Sequence, residues 1–461
     1  MDSNNLDVLI TDYISSDIGE DDNQFYSSKL AILDTVGCII EASNHENVLQ
    51  FASKNNLSLN FKNPFKNISV NESYENISWY LTVLTRWFDY NDTFLAKEWA
   101  HPSDNFGSIY SYFYKNKNYK FNDFTNALTK AYEIQGSLCL GTSLNKLGYD
   151  HVFYVKLASG SVFSYLVNNG DSNAIRRTVN NILLDGPSLR AYRHFPNVGK
   201  RKSWAAADAS TRGIELAIIS NYEDEIYESV QNENKWGFES SFLDSSKIEF
   251  GKDLNNWVIQ NILFKVLFPA EFHGQSAVEA AIKLSEEFNN NLNKFEKVNI
   301  YTHEPAVRII SNKEILKNAS DRDHSLEYMV AAALLYGDLK YEMYEESFEG
   351  FENINNLRKK IFISEEPQFT KDYYEFSKRY ISNSIEIVYK DNSTSEKITI
   401  ENPIGHPSRR EEAIPLLKDK FLRNTESLFD KEKATYIWDK IINLEKDDDL
   451  NKFFNILNED E

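Results

Sequence analysis

The chain has 461 residues, 41% of them hydrophobic and 14% aromatic, and a formal net charge of −20. This length and apolar content favour a folded protein of two domains. The acidic balance argues against nucleic acid as a partner, because phosphate binding needs a basic surface. No run approaches the roughly 18 uninterrupted apolar residues of a membrane helix, so no membrane partner is expected.

The N-terminus favours a soluble cytoplasmic protein, and the two cysteines predict no disulfide. Residues 1–7 are acidic and lack the basic start and apolar core of a signal peptide, as well as the Arg and Ser bias of a transit peptide. Cys38 and Cys139 lie in apolar helical runs. They predict small core side chains rather than a disulfide or a metal site.

Helical patterns dominate the first half of the chain. Apolar side chains recur at helical spacing in residues 25–41, and the same spacing predicts helices over 123–140, 151–168 and 172–184. A separate apolar helix ends near residue 88, where the composition changes abruptly.

Residues 86–107 place polar side chains, among them Asp89, Thr93 and His101, between aromatic ones. Polar groups in apolar surroundings cost free energy unless they are partnered, so this segment predicts either an unusually polar helix end or a site. A new helix with Ser103 as its N-cap is expected to follow. That arrangement places His101 beside the free N–H groups of a helix start.

A second candidate segment, residues 190–202, is basic within an acidic protein. It contains Arg190, Arg193 and Lys202 together with turn-forming Pro196 and Gly199, and a helix of small residues follows it. A loop that leads into a helix N-terminus favours bound anions. The alternative interpretation is a solvated basic loop.

The second half of the chain predicts a smaller α+β domain. A helix over 257–268 is expected to stop at Pro269, and a new helix carries His273 in its first turn. The remaining predicted elements are a strand at 297–301, a helix at 325–336, a hairpin at 384–401 and C-terminal helices that end in a solvated acidic tail. The domain prediction is a helical domain over 1–268, with 402–461 returning to it, and an α+β domain over 269–401.

Seven of the eight histidines lie in these segments; His303 and His324 are interpreted as core residues. No His-Glu-x-x-His or paired cysteine predicts a metal site, and no dinucleotide, phosphate-loop or GxSxG motif is present. What remains is acid–base chemistry by His101, His151 and neighbours beside an anion pocket. This pattern predicts a lyase or isomerase that acts on a polycarboxylate, with no metal and no cofactor.

Several segments resemble motifs of the MmgE/PrpD family, in the family's order. The resemblance covers roughly residues 27–421, and its motifs lie at 86–105, 131–136, 148–152, 188–197, 201–206, 268–275, 321–324 and 403–410. It implies a mainly α fold, with a large all-helical domain, a smaller α+β lid domain and a metal-independent site between them. It also implies elimination of water from 2-methylcitrate to give 2-methyl-cis-aconitate in propionate breakdown, and a homodimer.

The resemblance also implies site residues. Carried over position by position, the catalytic residues are Asp89, Thr93, His101, His151 and Lys202, and the substrate-binding residues are Arg190, Arg193 and His273. The hypothesis assigns proton transfer to Asp89 and His101, assistance to His151, and binding of carboxylates to Lys202 with Arg190 or Arg193. It leaves open which group is the base and which the acid.

Gly274, Pro305 and the pair Pro407 and Ser408 depart from the family pattern, so the preference between methylcitrate and citrate stays open. The alternatives within the family are a citrate dehydratase, a cis-aconitate decarboxylase and an epimerase of amino-dicarboxylates. A non-catalytic tricarboxylate-binding protein and a structural helical scaffold are the alternatives from other classes.

Overall fold

Two separate hydrophobic cores organise the computed structural model, which describes residues 5–19, 21–54, 63–194 and 196–458. The larger core draws on residues between Leu6 and Val266 and again between Ala413 and Leu457, whereas a second core lies within 268–400. We call the first unit the body and residues 268–400 the lid. The fold class predicted from the sequence is confirmed; the domain boundaries themselves stay a prediction.

The first part of the body is helical and carries one short two-stranded ribbon, β1 (Phe94–Leu95) with β2 (Trp99–Ala100). Its helices are α1 (Leu6–Ser15), α2 (Asp22–Ser43), α3 (Glu46–Ser53), α4 (Tyr74–Arg86), α5 (Phe106–Lys115), α6 (Phe121–Gly141), α7 (Val152–Val167), α8 (Ser172–Asp185), α9 (Arg201–Ile219), α10 (Phe238–Phe242) and α11 (Trp257–Gln260).

Two glycines let α7 and α9 pack closely at the centre of the body. A Cβ on Gly213 of α9 would lie 2.8 Å from the carbonyl oxygen of Lys156 and 3.0 Å from the backbone nitrogen of Gly160, both on α7. Such distances are too short for a side chain, so only glycine permits this approach. Nearer the starts of the two helices, Val152 and Val155 of α7 share a buried cluster with Ala205 and Ala206 of α9, so the segments that carry His151 and Lys202 lie on the same side of the body.

The lid combines helices with a four-stranded sheet of order β4-β3-β5-β6. Its elements are α12 (Gln275–Asn290), β3 (Phe295–Thr302), α13 (Glu304–Ile310), α14 (Ala319–Arg322), α15 (Leu326–Tyr336), α16 (Phe351–Arg358), β4 (Ile361–Glu365), α17 (Pro367–Tyr374), β5 (Asn383–Tyr389) and β6 (Ile398–Ile400). β3 pairs parallel with β4 and antiparallel with β5, and β5 pairs antiparallel with β6. The predicted strand (β3) and hairpin (β5 and β6) are confirmed, whereas β4 was not predicted.

Three helices return the chain to the body: α18 (Arg410–Thr425), α19 (Lys431–Ile442) and α20 (Leu450–Asn458). The predicted solvated tail is wrong for α20, because Phe453 and Phe454 are buried against aromatic rings of α5 and α6. Residues 459–461 lie outside the described residues. Across the described part of the chain, no helix is long and apolar enough to cross a bilayer.

Two predictions near the site are wrong in detail. The helix expected over 257–268 is only α11; beyond it the backbone is extended, with Leu263 bonded to Thr93 and Phe264 to Gly405. Ser103 is not an N-cap, since it lies inside a 3₁₀ turn, Pro102–Asn105, whose cap position belongs to His101.

Candidate active site

A small cavity lies between the body and the lid. The body supplies most of its wall, from the end of α4 and the turn after it, the ribbon, the residue before α7, the loop 190–193 and the extended segment after α11, and the lid supplies four residues. The lining residues are Arg86, Asp89, Thr93, Leu95, Trp99, His101, His151, Arg190, Arg193, Lys265, Glu271, Phe272, Ile309 and His324. The space open to the centre of a water-sized sphere is only about 20 Å³, so the lid lies closed over the site.

The turn after α4 holds Asp89 in a strained conformation. Its φ of 50° lies in the left-handed region, which non-glycine residues adopt at a cost of roughly 1–3 kcal/mol and mostly at functional sites. Arg86, the last residue of α4, stabilises the turn because its Nη1 donates to Asp89 Oδ1 at 2.6 Å and to Asn91 Oδ1 at 2.8 Å.

Asp89 is held as a carboxylate by surrounding cations. Burial alone would raise its pKa, but the charges of Lys265 and Arg86 outweigh burial and hold the pKa well below its usual value. Lys265 Nζ lies 3.2 Å from Asp89 Oδ2 and also donates to the backbone carbonyl of Asp89. A carboxylate this well stabilised is a weak base, and it is suited to supporting a neighbouring cation instead.

His101 is a neutral imidazole with one free nitrogen. Its Nδ1 lies 2.7 Å from the carbonyl oxygen of Asp92, and because a carbonyl can only accept, Nδ1 carries the hydrogen. Nε2 therefore keeps its lone pair and lies 3.6 Å from Asp89 Oδ1. Burial and the charge of Arg86 lower the pKa of His101 well below its usual value, although Asp89 opposes this. Thr93 Oγ1 lies 3.4 Å from Nδ1, so Thr93 adjoins this imidazole.

His151 lies beside a second carboxylate. Its Nδ1 accepts from Arg190 Nη1 at 3.3 Å and lies 3.1 Å from Asp150 Oδ1. Because a guanidinium can only donate, the hydrogen of the neutral ring is on Nε2, which is buried without a hydrogen-bond partner in the described residues. Burial lowers the pKa of His151 well below its usual value despite the Asp150 carboxylate. The ring centroids of His101 and His151 are 6.2 Å apart, close enough for both imidazoles to reach one small molecule.

Two arginines of the predicted basic loop line the cavity, and Asp150 anchors both. Arg193 Nε donates to Asp150 Oδ2 at 2.8 Å, and Arg190 Nη1 lies 3.6 Å from Asp150 Oδ1. The Arg190 guanidinium also stacks over Trp99 at 4.7 Å, and its Nε has no partner among the residues described. Arg190 therefore retains a donor for an incoming carboxylate.

Lys202 lies behind the wall and connects the body to the lid. Its Nζ donates to both carboxylate oxygens of Asp323, at 2.6 and 2.7 Å, and lies 3.1 Å from His324 Nδ1. Its charge still contributes to the low pKa of Asp89. In this closed conformation Lys202 acts on the cavity through His324 and through its field rather than by lining it.

His273 lies outside the cavity wall in this conformation. It is fully buried, with Nδ1 2.8 Å from Glu271 Oε1 and Nε2 3.1 Å from the Tyr373 hydroxyl, and its ring meets the edge of Trp99. The expectation of direct substrate contact by His273 is therefore not supported by its position here; its neighbours Glu271 and Phe272 line the cavity instead.

Sequence reasoning missed Lys265 and misjudged His324. Lys265 is fully buried. A single lysine inside the apolar run 262–268 indicates a functional side chain, but the predicted helix over 257–268 gave that lysine no special position. His324 was interpreted as a core residue but lines the cavity. His303, by contrast, is fully buried and accepts from the backbone N–H of Ala306 at 3.3 Å, as expected for the core.

The arrangement can carry out acid–base chemistry on an anion. Two neutral imidazoles, each beside a carboxylate, face a cavity with four cationic side chains in its wall: Arg86, Arg190, Arg193 and Lys265. Among the described residues, no group of three or more His, Cys, Asp or Glu side chains is arranged to hold a metal ion. Fold and site together define an acid–base enzyme with a helical body and an α+β lid.

Comparison with known families places the chain within that class. The model of the MmgE/PrpD N-terminal domain matches residues 10–251, and the model of the MmgE/PrpD C-terminal domain matches residues 268–446. The chain belongs to the MmgE/PrpD family.

Proteins similar to this chain include several that are named 2-methylcitrate dehydratase. The 2-methylcitrate dehydratase of Escherichia coli (strain K12) is 41% identical over 354 residues, which cover 74% of this chain and 73% of the relative. The mitochondrial 2-methylcitrate dehydratase of Yarrowia lipolytica is 34% identical over 435 residues, covering 91% and 84% respectively. That of Cupriavidus necator is 39% identical over 354 residues, covering 74% and 73%.

Proposed function

We propose that this chain is a 2-methylcitrate dehydratase, a hydro-lyase that removes water from 2-methylcitrate to give 2-methyl-cis-aconitate in propionate breakdown. One observation carries the proposal: the imidazoles of His101 and His151 are 6.2 Å apart and face one cationic cavity. The similarity to enzymes of that name supports the choice of substrate.

The geometry favours His101 as the base. Removing a proton next to a carboxylate builds negative charge on that carboxylate, which Lys265 and Arg190 are positioned to stabilise. The free Nε2 of His101 takes the proton, and Asp89, 3.6 Å from it, stabilises the imidazolium that forms. Such positioned proton transfer contributes roughly 10²- to 10⁴-fold to rate.

His151 is our proposed proton donor to the departing hydroxyl. Because Nδ1 accepts from Arg190, neutral His151 carries its hydrogen on Nε2, on the cavity side. A second proton enters at Nδ1, 3.1 Å from Asp150 Oδ1, and makes Nε2–H the donor. The carboxylates of a bound polyanion favour that protonation, since nearby negative charge raises the pKa of an imidazole. Thr93 and Lys202 are proposed to position His101 and the lid, respectively.

The test uses purified protein treated with a chelator and incubated separately with 2-methylcitrate, citrate and cis-aconitate. We expect the ultraviolet absorbance of an unsaturated product to rise fastest with 2-methylcitrate. Release of carbon dioxide from cis-aconitate would replace the proposal with a decarboxylase. Tight binding of all three acids without turnover would indicate a binding protein.

A cytoplasmic location and a homodimer complete the proposal. The two cysteines, Cys38 and Cys139, are buried and unbridged, which suits a reducing compartment, although one relative is named mitochondrial. Light scattering of the purified protein would test the dimer, with a monomer mass contradicting it.

A further inference from the structure

Part of the cavity wall is apolar and takes no part in the proton chemistry. Four of its lining residues are hydrophobic. Leu95, Trp99 and Phe272 belong to one small cluster outside the cores of the body and the lid, and Ile309 packs against both this cluster and the lid core. Arg190 covers the face of Trp99 at 4.7 Å. Leu95, Phe272 and Ile309 therefore offer the free apolar surface, which we call the apolar wall.

We propose that the apolar wall of Leu95, Phe272 and Ile309 receives the methyl group that distinguishes 2-methylcitrate from citrate. This inference rests on the proposed function and specifies how the site selects its substrate. It assigns Ile309, the lid's half-buried contribution, as a specificity-determining residue.

The ribbon places the polar and apolar groups side by side. Side chains alternate between the two faces of a strand; Phe94 and Ala100 point into the body's core, and the alternate positions line the cavity. Leu95 pairs with Trp99 in the ribbon, and Thr93 and His101 lie two positions further along. Two residues of strand span roughly 6.6 Å, so the apolar wall begins within one small molecule's length of His101.

The chemistry of the substrate then decides which group meets this wall. The carbon that loses its proton bears hydrogen, a carboxylate, the hydroxyl-bearing carbon and the methyl group. The hydrogen must face the base, the carboxylate must face cations, and the hydroxyl-bearing carbon must lie towards the proton donor. Only the methyl group is left for the apolar wall, and citrate has hydrogen at that position.

The expected size of the effect follows from pocket energetics. One methyl or methylene group in a hydrophobic pocket changes kcat/KM by roughly 10- to 200-fold. The ratio of kcat/KM for 2-methylcitrate to that for citrate should therefore exceed about 10 in the unmodified protein.

The experiment measures this ratio for the unmodified protein, for Ile309→Ser and for Ile309→Ala. We expect Ile309→Ser to lower the ratio by about 10-fold and Ile309→Ala by less, because alanine remains apolar. Both substrates are measured on one preparation, so any loss of folded protein cancels. Ile315→Ser is the matched control, since Ile315 is a lid residue that is 77% exposed and outside the cavity.

The outcomes separate the two proposals. If the unmodified protein prefers 2-methylcitrate and Ile309→Ser leaves the ratio within twofold, the assignment of the apolar wall is wrong while the proposed function stands. If the unmodified protein dehydrates citrate as fast as 2-methylcitrate, the apolar wall has no selective role. If it dehydrates neither, the proposed function fails, and the apolar wall assignment fails with it.

Discussion

At the scale of single residues, the site depends on two histidines that are uncharged before the substrate binds. Each has its Nδ1 committed, that of His101 to the carbonyl of Asp92 and that of His151 to Arg190, and each keeps Nε2 for the cavity. A neutral imidazole is the form that can accept a proton. The nearby carboxylates are already ionised and stabilise the product of that transfer.

The dependence of kcat/KM on pH should reflect the neutral state of these imidazoles. Burial lowers the pKa of both His101 and His151 well below the usual value near 6.5, so before substrate binds both imidazoles, including the base His101, stay unprotonated as the pH falls through 6.5. We expect the acid limb of log kcat/KM to lie below pH 6.5, after allowance for ionisation of the substrate itself. A limb at or above pH 6.5 would contradict the neutral state of these imidazoles.

Asp89→Asn should slow catalysis without changing the position of the turn. The amide cannot stabilise an imidazolium, and because Asp89 raises the pKa of His101, its loss makes His101 a weaker base. We expect kcat to fall by roughly 10²-fold or more. Asp12→Asn, at an exposed position of α1, is the control. A rate within threefold of normal would remove Asp89 from the mechanism.

At the scale of elements, the 3₁₀ turn Pro102–Asn105 joins the ribbon to α5 and buries Asp104 completely. Neither carboxyl oxygen of Asp104 has a hydrogen-bond partner in the described part of the chain, and Arg86 Nε is 3.4 Å away. Burial raises the pKa of Asp104 to about 7. The turn therefore holds a carboxyl group that resists ionisation near neutral pH.

The raised pKa of Asp104 predicts that the stability difference between Asp104→Asn and the unmodified protein depends on pH. Because the folded pKa is above the unfolded one, the contribution of Asp104 is present at low pH and is lost as the pH rises through about 7. Asp104→Asn removes this dependence. The variant's free energy of unfolding relative to the unmodified protein should rise by roughly 2–3 kcal/mol between about pH 5 and pH 8. Urea unfolding at both pH values is the measurement, and an unchanged difference would show that Asp104 is ionised in the folded state.

Element by element, local patterns predicted most helices and the hairpin because their apolar faces repeat within a few residues. The stretch after α11 was mispredicted because its structure comes from distant partners: Leu263 pairs with Thr93, and Phe264 bonds to Gly405. No local pattern reveals such pairings. Lys265 was missed for the same reason, since its role depends on where this extended segment lies against Asp89.

At the scale of the whole molecule, catalysis requires the lid to move. The closed cavity leaves only about 20 Å³ to the centre of a water-sized sphere, too little for a tricarboxylate, so the substrate can enter only when the lid opens. Contacts across the junction include Lys202 with Asp323 and Arg308 with the Asn145 side chain. These charged and polar contacts are of the kind that a domain closure can break and remake. Sequence could predict two domains and the residues between them, but not this closed state.

Ligand binding should therefore protect the lid from hydrogen exchange. With saturating citrate, we expect slower amide exchange in α13 (Glu304–Ile310), which contributes Ile309 to the cavity, because the ligand favours the closed state. Exchange in α19 (Lys431–Ile442), remote from the cavity, should not change. If citrate binds by calorimetry and α13 exchange is unaffected, closure of the lid over the ligand is excluded.

The most direct test of the account is the rate at which chelator-treated protein forms the unsaturated product from 2-methylcitrate, compared between the unmodified chain and His101→Ala. We predict steady product formation by the former and a rate at least roughly 10²-fold lower for the variant, with unfolding by urea unchanged. His45→Ala, at an exposed histidine outside the cavity, should keep the normal rate. Near-normal turnover by His101→Ala, or none by the unmodified protein, would contradict the account.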